Sequence, residues 1–381
     1  MVALVRSGAS QRAAARRFRV GLSTVQLWLE RAADRPLDEV DWSDRSSQPL
    51  HRTRTRPELE DLILDIRRRL REESILGEYG PAAIRRELED QPGPLPALRT
   101  IARILERRGA LDARRRVRRP APPAGWYLPD VRERAAELDS FDVISGLRLQ
   151  GGIGFDVLTG ISLHGGLAAT WVQSAVSGVS TVGSLHDHWR SVGRPAYAQF
   201  DNDARFIGGQ VNPNSIGAVI RFCLTVGVVP VFAPPLEMGF QAAIEAYNGR
   251  WQRKLWARFW DPTLADLEAR SQAYVRASRR RAAVRIEAAP ERRALTLERV
   301  PDLSAPPTGR LVFLRRTGDG GSVSILRRTY PVDRRWLHRL VRGELDLGAR
   351  RLRFYALRRR EPTDQPLLAE VEFEPPARWN R

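Results

Sequence analysis

Three polar residues, Asp201, Asn202 and Asp203, follow directly on an apolar stretch that runs from Tyr197 to Phe200. The apolar stretch predicts a buried strand, because it is rich in aromatic residues and is bounded by polar ones. Catalytic and ligand-binding groups of open α/β sheets lie at strand ends. Asp201 is therefore predicted to present its carboxylate there, as a candidate ligand for a hard divalent cation such as Mg²⁺.

Two further acids have the surroundings that such a site needs. Asp139 lies inside the first predicted strand, between Leu138 and Phe141, where a carboxylate is costly unless it is paired or bound to metal. Glu245 lies near the apolar face of the last predicted helix of this region. Two cations held by such acids can activate an attacking oxygen and stabilise a leaving oxygen in phosphoryl transfer.

The neighbouring polar residues are interpreted differently. Asp142 is three residues from Asp139, so strand alternation turns it to the opposite face. Asp203 is interpreted as a loop residue or an outer partner of the site. The histidines His164, His186 and His188 are interpreted as surface residues, because positions i and i+2 of a helix do not share a face.

A succession of strands and helices between residues 137 and 262 is predicted to position the acids. The pattern is β-β-β-α-β-α-β-α, in which a hairpin-built meander is followed by alternating units on a mixed sheet. Asp139 falls on the first strand, Asp201 at the end of the fourth and Glu245 on the last helix. Acids on these three elements can converge at one edge of the sheet.

Around these acids the sequence resembles the catalytic core of DDE transposases, which belong to the retroviral-integrase-like superfamily and have a ribonuclease-H-like fold. The matching segments are ELDSFD at 137–142, FDNDARF at 200–206 and FAPPLEMGFQAAIEAYNGRWQ at 232–252. The resemblance implies that Asp139, Asp201 and Glu245 are catalytic residues that bind Mg²⁺ or Mn²⁺. It gives Asn202 and Asn248 supporting roles.

Some features depart from the family pattern. Asp203 replaces the glycine that usually follows Asn202, and the segment GISLHGG at 160–166 stands where a turn of the Asp-x-Ser-Arg type is usual. The separation between Asp201 and Glu245 is longer than is common in the family. Such departures are typical of a divergent subgroup or of an inactive relative.

The N-terminal residues predict a helix-turn-helix module for DNA. Two short helices are joined by a turn that contains Gly21, with Ser10 and Ser23 as candidate N-caps and Phe18 in the small core. The second helix would face the major groove and the arginines the phosphates. The candidate DNA-binding residues are Arg12, Arg16, Arg17, Arg19, Ser23, Thr24 and Gln26.

A second helical region and a basic linker follow. Residues 52–112 predict three helices, which form either another helix-turn-helix module or a dimerisation bundle. The arginine- and proline-rich segment after them is expected to stay extended and to lie along a DNA backbone. Its candidate DNA-binding residues are Arg114, Arg115, Arg116, Arg118 and Arg119.

The C-terminal third predicts a small cationic β-barrel. Five short strands, the first two joined through the Gly-rich turn GDGG, are typical of an SH3-like barrel. The net charge of +18 is concentrated at the two ends, with +8 in residues 1–125, +2 in 126–290 and +8 in 291–381. A polyanion bound by both ends of the chain would explain this distribution.

The predicted organisation is therefore multidomain, with all-α modules, an α/β ribonuclease-H-like core and a small β-barrel. The single cysteine, Cys223, excludes a disulfide framework and a cysteine-based zinc site. No apolar stretch approaches the ~18–20 residues of a membrane span, and the protein is expected in the cytoplasm, at a prokaryotic nucleoid. The predicted segments are 1–45 (helix-turn-helix), 52–112 (second helical module), 113–130 (linker), 131–262 (core), 263–305 (helix and linker) and 306–375 (barrel).

The function predicted from the resemblance is a DNA transposase or integrase. It would cleave double-stranded DNA at the terminal repeats of a mobile element and transfer the freed 3′ ends to target DNA, as a homo-oligomer on DNA and without membrane contact. The alternative is a non-catalytic, sequence-specific regulator derived from a transposase. A nuclease that acts on RNA–DNA hybrids fits less well, since helix-turn-helix modules indicate recognition of a duplex.

Overall fold

The structure of the 381-residue chain is a computed structural model. It describes residues 1–43, 55–93, 95–111, 124–149, 151–208, 213–237 and 239–376. The chain divides into two compact units, Met1–Leu59 and Glu60–Arg381.

The helices and strands within the described residues are numbered in chain order. The helices are α1 (Val2–Arg6), α2 (Gln11–Phe18), α3 (Leu22–Ala32), α4 (Pro57–Glu73), α5 (Pro81–Glu89), α6 (Leu98–Arg107), α7 (Pro129–Arg132), α8 (Gly178–Val192), α9 (Ala204–Ile207), α10 (Ala218–Thr225), α11 (Ala242–Trp251), α12 (Leu264–Arg281) and α13 (Ala283–Glu287). The strands are β1 (Leu138–Arg148), β2 (Gly154–Ser162), β3 (Ala168–Gln173), β4 (Tyr197–Phe200), β5 (Val229–Phe232), β6 (Arg310–Arg316), β7 (Ser322–Ile325), β8 (Arg328–Pro331), β9 (Leu340–Asp346), β10 (Arg351–Ala356) and β11 (Leu367–Glu372). A π-helical turn, Gln252–Trp256, continues α11 directly.

In the first unit, α2 and α3 are joined by a short turn. Ser10 caps α2 by accepting a hydrogen bond from the Ala13 backbone N–H, as the sequence predicts. The N-cap of α3 is Gly21 and not Ser23, which is the second residue of the helix. Phe18 is the last residue of α2 and is 47% exposed, so its predicted place in the core is wrong.

The end of α4 and the loop after it contact the segment that follows α11 within the second unit. The buried carboxylate of Glu60 pairs with Arg107 and Arg108 and ties α4 to the end of α6. Arg258 donates to the backbone carbonyls of Arg71 at 2.8 Å and Ser74 at 2.5 Å. These bonds satisfy carbonyl groups at the end of α4 that have no partner within the helix.

The second unit is built on one sheet of nine strands. Its order is β11-β10-β9-β6-β5-β4-β1-β2-β3. Strands β1 to β3 form an antiparallel meander, and β4 and β5 add in parallel beside β1. Helix α8 precedes β4, α10 precedes β5 and α11 follows it. The order of strands and helices predicted for the core is therefore present and is compatible with a ribonuclease-H-like fold.

Apolar side chains cover both faces of this sheet. On one face Phe141 and Phe200 pack with Trp189 of α8 and Phe222 of α10. On the other face the residues of β1 and β2 pack against α11 and α12, with Trp251 fully buried. Because the side chains of a strand alternate between the faces, neighbouring residues of β1 reach different sets of helices.

The C-terminal strands differ from the predicted separate barrel. Strand β6 pairs in parallel with β5, and β9, β10 and β11 follow it in antiparallel order. They therefore extend the core sheet. The predicted hairpin through GDGG is also wrong, since β7 pairs with β8 and not with β6. The parallel β5–β6 pairing joins residues far apart in the sequence, which local strand patterns do not specify.

Among the described residues, no helix combines the length and the apolar character that crossing a membrane requires.

Candidate active site

The register of two parallel strands brings two carboxylates to the same level. Leu138 of β1 pairs with Tyr197 of β4, and Ser140 pairs with Gln199. Two residues further along the same register, Asp142 stands level with Asp201, which follows directly on β4. Parallel strands end at the same edge of a sheet, so the two acids share this edge.

Asp142 is fixed by a helix on the same face of the sheet. The side-chain amide of Asn248 on α11 donates to an Asp142 carboxylate oxygen at 2.7 Å. Thr159 Oγ1 on β2 donates to Asn248 Oδ1 at 2.7 Å and lies 3.1 Å from the Asp142 carbonyl oxygen. Asn248 is itself buried. The carboxylate of Asp142 therefore has a defined orientation.

The ionisation of Asp142 is opposed by its surroundings. Burial raises the pKa of Asp142 to about 6, and the nearby carboxylates of Asp201 and Glu245 contribute to the rise. Hydrogen bonds from the Val143 backbone and Asn248 offset it in part. Like charges close together disfavour the charged form of each acid. A bound cation would remove this repulsion.

A cleft of about 460 Å³ opens beside Asp201 and Glu245. Burial raises the pKa of Asp201, while the Asp203 backbone N–H, 3.0 Å from Asp201 Oδ1, opposes the rise. Glu245 is exposed in the first turn of α11. The loop residues Pro234–Glu237 form another wall of the cleft. Four acids among the described residues, Asp201, Asp203, Glu237 and Glu245, line the cleft, and of these Asp203 and Glu237 pair with Arg205 and Arg316.

The structure does not bring Asp139, the acid selected from the sequence, to this cleft. Its carboxylate pairs with the Arg292 guanidinium through two hydrogen bonds of 2.9 and 2.6 Å and accepts from Trp189 Nε1 at 3.2 Å. Burial works against its ionisation, but Arg292 outweighs it and holds the pKa of Asp139 below its usual value. Strand alternation explains the difference, because Asp139 and Asp142 lie on opposite faces of β1.

Asp203, the residue that replaces the family's glycine, has an arginine partner. Arg205 donates to its two carboxylate oxygens at 2.9 and 2.7 Å, and these bonds lower the pKa of Asp203. The Asp203 side chain also accepts from the Arg205 backbone N–H and caps α9. Its charge is therefore compensated within the protein.

The second asparagine with a predicted supporting role, Asn202, does not contact the acids in the same way as Asn248. Its Nδ2 donates to the Ala233 carbonyl oxygen at 2.7 Å, and its Oδ1 accepts from Arg315 at 2.7 Å. Asn202 therefore links the end of β4 to the loop after β5 and to β6.

The three histidines are buried, which corrects their interpretation as surface residues. His164 and His186 lie within hydrogen-bond distance of the backbone carbonyls of Val131 and Leu297, at 2.8 and 3.0 Å. Burial lowers the pKa of His188 to about 3. These carbonyl groups come from distant segments of the chain, which explains why helix periodicity misses the burial.

The predicted DNA-binding residues of α2 and α3 are mostly exposed. Arg12, Arg16, Arg17 and Arg19 are exposed on α2 and the turn, as are Ser23 and Gln26 on α3, whereas Thr24 is half-buried. The predicted linker residues Arg114, Arg115, Arg116, Arg118 and Arg119 lie outside the described residues.

The donor chemistry of the cleft fits a hard cation. Within the described ranges, no three acidic, imidazole or thiolate side chains are near enough to enclose one ion in this conformation. Asp142, Asp201 and Glu245 nevertheless offer only oxygen ligands, as Mg²⁺ and Mn²⁺ prefer. Burial and, to a smaller extent, repulsion from Asp201 and Glu245 raise the pKa of Asp142, and a divalent cation would oppose both effects.

The sequence carries a signal that identifies Asp142. Asp142 and Asp201 each stand four positions after the first residue of a strand, Leu138 and Tyr197, and each directly follows a phenylalanine. If the two strands pair from their first residues, Asp142 and Asp201 are level, whereas Asp139 is near the other end of the ladder. Thr159 contributes by its hydrogen bond to Asn248. Because this bond depends on how α11 packs on the sheet, no local sequence pattern predicts it.

Comparisons with known proteins give a structural likeness. No protein-family model and no curated protein matches the chain. A chain of the cryoEM structure of the simian T-cell lymphotropic virus intasome with PP2A regulatory subunit B56 gamma is 12% identical with a TM-score of 0.33, over 79% of this chain and 95% of that one.

Two integrase catalytic core domains give similar values. That of HTLV-2 in complex with magnesium is 11% identical with a TM-score of 0.27, over 42% of this chain and 86% of that one. That of BIV is 11% identical with a TM-score of 0.27, over 36% of this chain and 80% of that one. The chain is thus similar in structure to retroviral integrase catalytic cores.

Proposed function

We propose that the protein is a DNA transposase or integrase that cleaves DNA at the ends of a mobile element and transfers the 3′ ends to target DNA, with Mg²⁺ or Mn²⁺. The observation that carries this proposal is the position of Asp142 level with Asp201 on neighbouring parallel strands, with Glu245 at the same cleft. Burial and the nearby carboxylates of Asp201 and Glu245 disfavour the charge of Asp142, and a cationic ligand would offset both effects.

In this proposal Asp142, Asp201 and Glu245 hold the metal. When bound, the metal supplies the positive charge that activates water or a 3′-hydroxyl and stabilises the leaving oxygen. The chain's own contribution is orientation. The Val143 backbone N–H and the Asn248 amide each hold one oxygen of Asp142, and the backbone N–H of Asp203 holds one oxygen of Asp201.

The exposed arginines of α2 and the exposed face of α3 are the proposed contacts to the element ends. Four arginines around the turn would meet phosphates, while Ser23 and Gln26 would reach base edges. Arg16→Gln with Arg17→Gln should weaken binding to any duplex and reduce its salt dependence. The homo-oligomer implied by the resemblance stays a prediction, which sedimentation with and without DNA can test.

The test uses the full chain with duplexes taken from both flanks of its coding sequence. With Mg²⁺, the wild-type protein should release 3′ ends at the element boundary and join them to a plasmid. Asp203→Asn and Glu237→Gln are matched controls, because their carboxylates line the same cleft but are paired with Arg205 and Arg316. Both should retain cleavage.

Two outcomes would reject the proposal. Cleavage by Asp201→Asn protein at the wild-type rate would show that these acids do not bind the catalytic metal. Tight, sequence-specific binding by a wild-type protein that never cuts in Mg²⁺ or Mn²⁺ would favour the non-catalytic regulator.

A further inference from the structure

The guanidinium of Arg315 on β6 is buried and has neutral partners. Its Nε donates to the Ser324 carbonyl at 3.1 Å, its Nη1 to the Leu314 carbonyl at 2.8 Å and its Nη2 to Asn202 Oδ1 at 2.7 Å. Within the described residues no carboxylate pairs with it. Burial lowers the pKa of Arg315 to about 10, so the side chain remains charged at neutral pH. A buried charge without a counter-charge is unfavourable, and an anion nearby would stabilise it.

Arg315 lines a basic pocket that adjoins the carboxylate cleft. The pocket has a volume of about 580 Å³ and is also lined by Arg316 and Arg327. Of the described residues that line it, none is acidic. It shares Asn202 and Pro235 with the carboxylate cleft. The basic pocket and the carboxylate cleft therefore share part of one wall.

Arg327 is presented to this pocket by an unusual turn. Strands β7 and β8 are joined by Leu326 and Arg327, which have φ angles of 49° and 63°. A two-residue turn with positive φ at both positions usually contains Asn and Gly, and other residues are strained there. Leu326 is buried and its carbonyl oxygen accepts from the Asn214 backbone N–H at 2.9 Å. The turn is thus held in place while Arg327 stays exposed.

We infer that this basic pocket binds phosphate groups of the DNA strand whose scissile bond lies at the carboxylate cleft. Consecutive phosphates of one strand are only a few ångströms apart along the helix axis, so a strand over the cleft has further phosphates beside the shared wall. Arginine is suited to this role because its planar donor group matches phosphate oxygens. The inference rests on the proposed function, since it places the substrate strand at the carboxylates.

The test is photocrosslinking of the full chain to a short oligothymidylate that carries one azidophenacyl phosphorothioate. The reaction is run in EDTA, so that no cleavage is needed, and adducts are located by mass spectrometry. We expect adducts between Ser324 and Arg328. Arg327→Gln should lower their yield about fivefold, equivalent to roughly 1 kcal/mol of lost binding.

Arg328→Gln is the matched control. Arg328 is the next residue, is equally exposed and pairs with Glu374, but it does not line the pocket. Its substitution should leave the adduct yield unchanged. Arg315→Met is the second variant, and it should lower the yield without lowering the midpoint of urea unfolding, because it removes an uncompensated buried charge.

Three results would overturn the inference. One is an equal loss of adduct in Arg327→Gln and Arg328→Gln proteins, and another is the absence of adducts from this segment. The third is displacement by excess thymidine monophosphate, which would assign the pocket to a free nucleotide. The assay needs neither metal nor cleavage. If the adduct depends on Arg327 but the protein never cuts DNA, the catalytic proposal is rejected and the inference about the pocket stands. Cleavage without such an adduct would reject only the pocket.

Discussion

Asp139 and Asp142 stand three residues apart on one strand, yet their surroundings are opposite. Asp139 is 2% exposed and its charge is compensated by Arg292 and stabilised by the indole N–H of Trp189. Asp142 is half-buried and faces two further carboxylates. The pKa of Asp139 is lowered and that of Asp142 is raised.

The difference separates a structural acid from a candidate catalytic acid. A buried carboxylate that already has a cationic partner stabilises the fold and has no need of a metal. A carboxylate held beside like charges destabilises the metal-free fold, and such a cost is typical of functional sites. The two acids should therefore differ in their effects on cleavage and on stability, and the site around Asp142 should respond to Mg²⁺ and to pH.

Asp142→Asn should reduce metal-dependent DNA cleavage about 10³-fold or more, because the substitution keeps the shape but removes a metal-binding charge. Asp139→Asn should retain cleavage within about tenfold, when it is assayed at a temperature at which circular dichroism shows it to be folded. Single-turnover cleavage of an element-end duplex measures both. The reverse pattern would return the catalytic role to Asp139.

For stability we expect the opposite order, with the larger effect from the substitution of Asp139. Asp139→Asn leaves the guanidinium of Arg292, whose side chain is only 13% exposed, without its counter-charge and should lower the free energy of unfolding by about 3–5 kcal/mol. Asp142→Asn should leave it unchanged or raise it, since repulsion within the cleft is removed. Urea denaturation measures both values. A second change in the Asp139→Asn protein, Arg292→Met, should recover part of the loss, and equal destabilisation by the two aspartate variants would contradict the distinction.

Asn248→Ala should raise the Mg²⁺ concentration for half-maximal cleavage by about 10–100-fold, the usual effect of losing a residue that orients a metal ligand. The maximal rate at saturating Mg²⁺ should change less. Asn214→Ala is the control, because Asn214 is also buried and hydrogen-bonded but contacts Tyr330 and the Glu374 carbonyl. It should alter stability without altering the Mg²⁺ dependence.

The smallest effect concerns pH. The pKa of Asp142 is about 6 and that of Asp201 is also raised, above the value of about 4 for an unfolded aspartate. Their contribution to the stability of the metal-free protein is therefore full below pH of about 4 and is lost as pH rises through about 6. Mg²⁺ binds the deprotonated acids, so it should raise Tm more at pH 7.5 than at pH 5, by about 2–4 °C for each kcal/mol of binding.

Differential scanning fluorimetry at the two pH values, with and without MgCl₂, measures this effect. The Asp142→Asn protein is the control and should show a smaller gain with Mg²⁺ at the higher pH. An equal gain in both proteins would mean that Mg²⁺ binds elsewhere.

Much of the core fold follows from local sequence. The apolar stretches at 138–144 and 197–200 predict strands because their residues are buried on both sides, and Asp201 ends the second stretch where the sheet opens to solvent. Residues 178–192 predict α8 through their helical periodicity. In each case the hydrophobic pattern of a single segment is sufficient, since its burial depends little on which neighbour covers it.

The choice between Asp139 and Asp142 depends on information that one strand does not contain. Alternation places them on opposite faces but does not say which face receives α11 and which receives Arg292. Arg292 is 153 residues from Asp139 and lies in an irregular segment after α13. The role of Arg315 is hidden for the same reason, because the sequence gives no sign that β6 pairs with β5.

The parallel pairing of β5 with β6 has a consequence for synthesis of the protein. Strand β5 ends at Phe232 and its partner β6 begins at Arg310, so the ribosome must translate the whole intervening segment before the pair can form. At the usual speed of translation this takes on the order of ten seconds. During that time β5 is an unpaired strand edge with apolar residues, which favours association with other chains. The nascent chain is thus vulnerable to aggregation at the stage when the carboxylates of the candidate site have been made, and a chaperone that binds extended apolar segments would protect it there.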